Sequence, residues 1–166
     1  GGEMKLRILG CGTSFGVPRI GNDWGDCDPA EPRNRRRRVS ILVEHDGTAV
    51  LVDTSPDLRE QLLDAGTGSL DAVIWTHDHA DHCHGIDDLR AVFHHRRAPI
   101  PGFARADTLG RLKRRFDYIF EGKGGYPAII AGAELPDTLQ VGATGIRVVD
   151  QPHGAIASAG LPFEAG

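Results

Sequence analysis

The sequence predicts an α+β fold in which layers of sheet and helix pack against each other. Along the chain, strand-like segments with β-branched residues alternate with amphipathic helical segments, and no internal repeat interrupts this order. The chain has 166 residues, of which 40% are hydrophobic and 25% are charged. This length and composition suit one globular core, so we predict a single domain over residues 1–166.

The first part of the chain is predicted to supply a strand, a hairpin and a helix. Residues Lys5–Leu9 are rich in apolar side chains and form a strand candidate. Residues 39–53 predict a hairpin because two β-branched runs flank Asp46-Gly47, a strong tight-turn signal. A helix is expected to begin at Ser55-Pro56-Asp57 with Ser55 as its N-cap and to end at Gly66.

The remaining elements follow from the same patterns. A buried strand is predicted over residues 71–76, followed by helices over 87–95 and 107–119, the second capped by Asp107. Short strands are expected at 128–131, 138–141 and 146–149. We interpret the basic side of the 107–119 helix as solvated surface; it carries Arg111, Lys113, Arg114 and Arg115.

The composition argues against several classes of protein. The formal net charge of -4 disfavours general nucleic-acid binding. No apolar run approaches the length of a membrane span, and the first residues lack the zones of a signal peptide. The 3 cysteines include no C-x-x-C pair, so we expect no disulfide framework and a cytoplasmic location.

The segment "THDHADHCHG" at residues 76–85 predicts a metal site. His77 and His79 directly follow the predicted buried strand, and side chains two apart on extended backbone point the same way. Two imidazoles can therefore converge on one cation, at roughly 2.0–2.1 Å each for zinc. Asp81 and His82 come where the chain should turn and can face a second cation. These donors suit zinc, manganese or iron.

Several motifs together identify a family resemblance. "THDHADH" resembles the H-x-H-x-D-H signature of the metallo-β-lactamase fold superfamily. The blocks "GCGTSFGVPRIG", "PRNRRRR", "LVDTSPDLREQLL" and "LKRRFDYIF" are similar to its cyclic-phosphodiesterase branch, that of the phosphoribosyl 1,2-cyclic phosphate phosphodiesterases. The resemblance implies a four-layer αββα sandwich with two divalent metal ions, zinc or manganese, at one edge.

The resemblance also implies roles for individual residues. The first metal ion would be held by His77, His79 and His153, and the second by Asp81 and His82. Asp53 would orient these ligands by hydrogen bonding rather than bind metal itself. Cys83, inside the same segment, is expected to be a small buried filler rather than an extra ligand.

The chain departs from the superfamily pattern after His153. The bridging aspartate and final histidine of that pattern are absent, so we expect the chain to stop inside the domain, before its last two ligand motifs. Half a sandwich would leave one sheet face uncovered. We therefore expect these 166 residues alone to be unstable or to associate, for example as a homodimer.

The expected reaction is attack of a metal-activated hydroxide on phosphorus, with Asp81 among the catalytic residues. His84 is either a proton donor or phosphate contact, or a packed histidine with no catalytic part. The run "RNRRRR" enters a strand, so alternate arginines, Arg35 and Arg37, could bind a substrate phosphate; solvated surface is the alternative.

These residues predict a metal-dependent phosphodiesterase acting on a small cyclic phosphate or nucleotide-like ester. One alternative is a tRNA 3′-processing endoribonuclease, which shares the "GTS" and H-x-H-x-D-H motifs but normally carries an RNA-gripping arm. A thioester hydrolase or lactamase on the same fold is a second alternative. A non-catalytic metal-binding fragment is a third.

Overall fold

The computed structural model describes residues 4–152 and 154–160. The strands are β1 (Lys5–Gly10), β2 (Ser40–His45), β3 (Thr48–Val52), β4 (Ala72–Ile74), β5 (Ile100–Ala104), β6 (Ile130–Glu134), β7 (Thr138–Val141), β8 (Thr144–Gln151) and β9 (Gly154–Gly160). The helices are α1 (Leu58–Ala65), α2 (Ala80–Cys83), α3 (Leu89–Arg96), α4 (Ala106–Arg115) and α5 (Asp117–Glu121).

The strands form two sheets. The larger sheet has the order β1-β2-β3-β4-β5-β6, and the smaller has the order β7-β8-β9. In the larger sheet β1, β2 and β3 pair antiparallel, whereas β3, β4, β5 and β6 pair parallel with helices in the connections. The carboxyl ends of four parallel strands therefore meet at one edge, which is where ligand sites of such sheets usually lie.

The predicted hairpin is confirmed. Strands β2 and β3 pair with Val43 opposite Val50, and they are joined by Asp46 and Gly47. Both turn residues have positive φ, 46° and 78°, as the tight turn of a two-residue hairpin requires. Gly47 adopts this conformation at no steric cost, and aspartate is among the residues that tolerate it.

Two apolar cores lie on opposite faces of the larger sheet. One joins the sheet to the helices, with Leu51 and Trp75 packed among side chains of α1, α3, α4 and α5. The other joins the two sheets, with Val50 and Ile74 against Ile146 and Val148. The predicted α+β class is confirmed. In the described ranges the helices cover only the larger sheet, giving three layers of the expected four.

Helix limits differ from the sequence predictions. Helix α1 begins at Leu58 with Asp57 at its N-cap, so the prediction of Ser55 as the cap is wrong. The Ser55 hydroxyl instead accepts from the Asp57 N–H and donates to Gln61. The predicted 107–119 helix is broken at Phe116 into α4 and α5, and Asp107 lies inside the first turn of α4 rather than capping it.

The face of β1 that points away from the helices is partly open to solvent. Leu6 and Ile8 are 59% and 64% exposed. The association expected from an uncovered sheet face, and the single domain over residues 1–166, stay predictions. Among the helices of the described ranges, none combines the length and the apolar character needed to cross a membrane.

Candidate metal centre

The candidate site lies at the carboxyl ends of the parallel strands. Asp53 directly follows β3, and Thr76 and His77 follow β4. Helix α2, which carries Asp81 and His82, begins a few residues later and is held against the end of β3 by main-chain hydrogen bonds. Thr54 N–H donates to the carbonyl of His82, at 2.9 Å.

Gly85 allows this close approach between two segments of backbone. Its N–H donates to the carbonyl of Thr54 at 3.0 Å. A Cβ atom at position 85 would lie 1.8 Å from the carbonyl oxygen of Ser55. Any larger residue would therefore push α2, with Asp81 and His82, away from the strand end.

Asp53 is the hub of the site. Its side chain is buried, and its backbone lies in the left-handed region with φ of 64°. One carboxylate oxygen, Oδ1, accepts from the Thr76 N–H at 2.8 Å. The other, Oδ2, accepts from the Thr76 hydroxyl at 2.6 Å and from His82 Nδ1 at 2.8 Å. One buried carboxylate thus joins the ends of β3, β4 and the start of α2.

This network sets the tautomers of two histidines. Because the Thr76 hydroxyl gives its proton to Asp53, its oxygen accepts from His77 Nδ1, 2.9 Å away. His82 Nδ1 donates to Asp53 in the same way. The Nε2 atoms of His77 and His82 are therefore left without a proton in the neutral rings, which is the form that binds a metal.

The donor set fits a divalent cation. His82 Nε2 and Asp81 Oδ2 lie 3.4 Å apart. Two ligands at about 2.1 Å from a tetrahedral cation are separated by about 3.4 Å, so these atoms can share one ion. Donor atoms of Asp53, His77 and His82 also lie within 4.8 Å of one another. The Asp53 oxygens already accept three hydrogen bonds, so Asp53 is suited to orient the histidines rather than to bind.

The remaining predicted ligands lie beside this group. The rings of His77 and His79 have centroids 5.8 Å apart, and those of His77 and His82 are 4.6 Å apart. His79 is exposed. His153 lies outside the described residues. The structure therefore places His77, His79, Asp81 and His82 beside one another, and among the described residues the donor atoms that lie within 4.8 Å as a group are those of His77, His82 and Asp53.

The two histidines that Asp53 orients, His77 and His82, have pKa values shifted in opposite directions. The hydrogen bond that His82 Nδ1 donates to Asp53 raises the pKa of His82, against the effect of burial. Burial lowers the pKa of His77, and the nearby His82 ring lowers it further. His77 is therefore held in its neutral, metal-binding form, whereas a proton competes more strongly for His82.

A cavity of about 590 Å³ opens next to the histidines. His77 and His79 line one side, and Arg105, Arg111 and Asp150 line others. Arg105, at the end of β5, donates to Asp150 of β8 at 2.9 Å and to Asp137 at 2.8 Å. This guanidinium joins the edge of the larger sheet to the smaller sheet, so both sheets build the wall of the cavity.

Asp78, between His77 and His79, is held by two arginines of α4. Its carboxylate accepts from Arg111 Nε at 2.9 Å and from Arg115 Nη2 at 2.7 Å. Burial raises the pKa of Asp78, but these hydrogen bonds and charges outweigh it and lower the pKa below its ordinary value. The interpretation of this basic helix face as merely solvated surface is wrong for Arg111 and Arg115, because both contact the metal-binding motif.

Cys83 and His84 follow the predicted ligands on α2 and at its end. Cys83 is buried, as expected for a filler, and burial raises the pKa of its thiol to about 11. Its thiol donates to the carbonyl of Asp78 at 3.2 Å. The exposed His84 ring packs edge-on against Phe116, with centroids 5.9 Å apart. The catalytic role of His84 stays a prediction.

The predicted phosphate-binding arginines line a different cavity, of about 500 Å³. Arg35 is exposed, and Arg37 pairs with Asp64 at 2.7 Å. None of the histidines at 77–84 is among the described residues lining this second cavity. The structure thus does not bring Arg35 and Arg37 to the histidine cluster, and their contact with substrate stays a prediction.

Comparison with known proteins decides the family. The model of a family described as "Beta-lactamase superfamily domain" matches residues 48–165, which include the hub Asp53 and the whole histidine cluster. The chain belongs to the beta-lactamase superfamily. The superfamily placement and the metallo-β-lactamase type of fold predicted from "THDHADH" are confirmed.

The proteins to which the chain is similar differ in what they are named for. An octanoyltransferase of Porphyromonas gingivalis is 42% identical over 125 residues, which cover 75% of this chain and 25% of that protein. A ribonuclease Z of a Bradyrhizobium species is 36% identical over 69 residues, covering 40% of this chain and 23% of that protein.

A solved structure of a diphosphatase from the PhnP family superposes with a TM-score of 0.77 at 37% identity. It covers 89% of this chain and 57% of the diphosphatase. The chain thus spans between about a quarter and little more than half of the length of these three proteins, and none of their names transfers to it.

Sequence reasoning missed part of this superfamily site. Thr76 was not singled out, although its hydroxyl connects Asp53 to His77. Its position between the strand and the first motif histidine was the available signal. Arg111 and Arg115 carried a signal as well, since a spacing of four places both on one side of a helix.

Proposed function

We propose that the chain carries the metal centre of a hydrolase that cleaves a phosphodiester in a small cyclic phosphate or nucleotide-like substrate. The observation that carries this proposal is the Asp53 network, in which one buried carboxylate leaves Nε2 of His77 and of His82 free of protons. Such preset tautomers are typical of histidines that bind a metal.

Two divalent ions, zinc or manganese, are proposed for the centre. His77, His79 and His153 would hold the first, and Asp81 and His82 the second. Ions held there would supply a hydroxide near neutral pH and neutralise charge on the phosphoryl oxygens. The 3.4 Å between His82 Nε2 and Asp81 Oδ2 supports the second position.

The side chains of the site fix the positions of the histidine protons and form a cavity beside them. Asp53 keeps a proton on Nδ1 of His82 and, through Thr76, on Nδ1 of His77. The cavity of about 590 Å³ beside His77 and His79 has the size of a small-molecule site, which favours a compact ester over a polymer. The similarity to a diphosphatase supports chemistry at phosphorus.

The test combines metal content with turnover of bis(p-nitrophenyl) phosphate. We expect about two metal ions per chain, and we expect His77→Ala and His82→Ala to lose metal and at least about 100-fold in kcat/KM. His94→Ala and His95→Ala are matched controls, because both histidines are exposed on α3. Turnover that persists in metal-stripped protein, or wild-type protein that binds no metal, would refute the proposal.

The similarity to a ribonuclease Z, 36% identical over 69 residues, favours a second candidate, a tRNA 3′-processing endonuclease. Cleavage of a tRNA precursor, with binding that weakens steeply as salt rises, would support it. The net charge of -4 argues against it. One bound ion without turnover of either substrate would instead indicate a metal-binding segment with no catalytic activity.

We also propose a reducing, cytoplasmic location for the protein. Cys11, Cys27 and Cys83 are all free thiols in the structure. Proteins of oxidising compartments commonly use cysteines as disulfides. Fractionation of cells that express the tagged protein would test this location.

A further inference from the structure

We propose that Arg111 and Arg115 act through Asp78 as positioning residues for the metal ligands His77 and His79. We name this group of three residues, Asp78, Arg111 and Arg115, the Asp78 clamp. The proposal rests on the proposed function, because it concerns how the metal centre of that hydrolase is held in place.

The two arginines belong to a rigid element. Arg111 and Arg115 are four residues apart on α4, so their side chains leave the same side of the helix. Leu109 and Leu112 of the same helix are 7% and 0% exposed and pack in the core between helices and sheet. The clamp therefore fastens the histidine segment to an element whose position the core already fixes.

In the clamp, the arginines donate hydrogen bonds to both the side chain and the main chain of Asp78. Arg111 Nε and Arg115 Nη2 donate to the same carboxylate oxygen, at 2.9 Å and 2.7 Å. Arg115 Nη2 also donates to the carbonyl oxygen of Asp78, which accepts from the Cys83 thiol as well. A residue held at the carboxylate and at the carbonyl has little freedom to rotate about its backbone bonds.

The segment that needs this restraint is short and irregular. Residues 75–79 connect β4 to α2 without regular secondary structure. Thr76 is fixed from the other side by Asp53. Asp78 lies between His77 and His79, so its position sets the direction in which the chain presents both rings. Loss of the hydrogen bonds to Asp78 should therefore displace the rings of His77 and His79 while the rest of the fold stays intact.

The exposure of these side chains indicates that the clamp affects metal binding more than the stability of the fold. The side chains of Arg111 and Arg115 are 42% and 39% exposed, and that of Asp78 is 19% exposed. Ion pairs with such access to water contribute little to global stability. Loss of groups that orient metal ligands, in contrast, weakens metal binding by 10- to 100-fold in known sites. The effect of the clamp should therefore be seen in metal affinity.

The experiment compares Arg111→Met/Arg115→Met with the matched control Arg114→Met. Arg114 is an exposed arginine of the same helix that lies outside the clamp. Zinc affinity is measured by competition with a chromophoric chelator, and the melting temperature is measured on metal-free protein. We expect zinc binding about tenfold weaker in the double variant, unchanged in the control, and a melting temperature close to that of the wild type in both.

Asp78→Asn provides a second test that keeps the size of the side chain and removes its charge. It should weaken zinc binding in the same direction and change the visible absorption of the cobalt-loaded protein, which reports ligand geometry. This variant carries the test if the double variant does not fold.

Zinc affinity equal to that of the wild type in both folded variants would overturn the positioning role. So would a rise in KM with unchanged zinc affinity, because the arginines would then be substrate contacts. Wild-type protein that binds neither zinc nor manganese would overturn the proposed function itself. That outcome is distinguishable because metal binding by the wild type is measured before any variant.

Discussion

Two groups of arginines in this chain show how little local charge density says about a role. The run at residues 33–38 is the most basic stretch of the sequence, and the face of α4 is less conspicuous. In the structure, Arg37 and Arg38 of the run pair with Asp64 and Asp57 and line a cavity of their own. Arg111 and Arg115 of α4 contact the metal-binding motif.

The difference lies in which element each group is attached to. The run precedes β2, whose first residues pair with the last residues of β3, so it lies at the same edge of the sheet but on the side of the edge strand β1. Helix α4 starts directly after β5, so its first turns lie at the edge where the histidines lie. Position along that edge, beside β1 and β2 or beside β4 and β5, rather than the number of charges, decides which arginines contact the site.

The largest effect is expected at Asp53, the hub of that edge. Asp53→Asn would replace a carboxylate oxygen that accepts hydrogen bonds from Thr76 and His82. We expect zinc affinity to fall about 100-fold and the free energy of unfolding to fall by about 2 kcal/mol. Chelator competition and urea unfolding measure the two. A zinc affinity like that of the wild type would show that the hub does not set the histidine tautomers.

The double variant Arg35→Met/Arg37→Met tests whether arginines of the run at residues 33–38 act on the metal centre. Because Arg37 pairs with Asp64 and both arginines line the second cavity, we expect zinc affinity and kcat to stay within about twofold of the wild type. The double variant in the Asp78 clamp is the matched comparison. A tenfold rise in KM for a phosphodiester would instead establish Arg35 and Arg37 as substrate contacts, as the sequence predicted.

A smaller effect, on stability alone, is expected for Arg38→Met. Arg38 donates two hydrogen bonds to the Asp57 carboxylate, at 2.7 Å and 2.9 Å. Its loss should cost about 1 kcal/mol of unfolding free energy at neutral pH without changing zinc affinity. Denaturant unfolding measures this cost.

The loss of unfolding free energy in Arg38→Met should depend on pH in a defined direction. Burial raises the pKa of Asp57, but the hydrogen bonds and charge of Arg38 outweigh it and lower the pKa below its ordinary value. A depressed folded pKa stabilises the fold above the unfolded value of about 3.9 and loses that effect as the pH falls through the folded value. The unfolding free energies of wild type and Arg38→Met should therefore converge below about pH 4. A constant difference would exclude this ion pair as the cause.

The smallest effect is expected at Cys83, whose thiol donates to the same Asp78 carbonyl that Arg115 holds. Because it is buried and its pKa is raised to about 11, we expect Cys83 to resist a thiol reagent at pH 8, whereas exposed Cys11 reacts. Arg115→Met should slightly slow the labelling of Cys83, because the charge of Arg115 lowers the pKa of that thiol and its loss leaves less thiolate, and Arg37→Met should have no effect. Equal labelling rates in both variants would remove the distinction between the two groups of arginines at this position.

Much of the fold could be predicted from local pattern. The Asp46-Gly47 turn, the end of α1 at Gly66 and the strand before the histidines all follow from short-range preferences. The start of α1 and the break at Phe116 could not be predicted, because Ser55 is engaged by Gln61 and the chain bends to pack Ile119 in the core. Strand β9 has few β-branched residues and is defined by its pairing with β8.

Which donors are available, and that they follow a buried strand, could be predicted from the sequence, because ligand type and spacing are local properties. The family resemblance already implied Asp53 as an orienting group, whereas the contacts of Thr76, Arg111 and Arg115 with this segment come from the tertiary structure. Asp53 reaches His82 across 29 positions, and Arg111 and Arg115 reach Asp78 across 33 and 37. These contacts exist because the parallel strands end at one edge, so residues distant in sequence meet there, and no local pattern specifies which of them will.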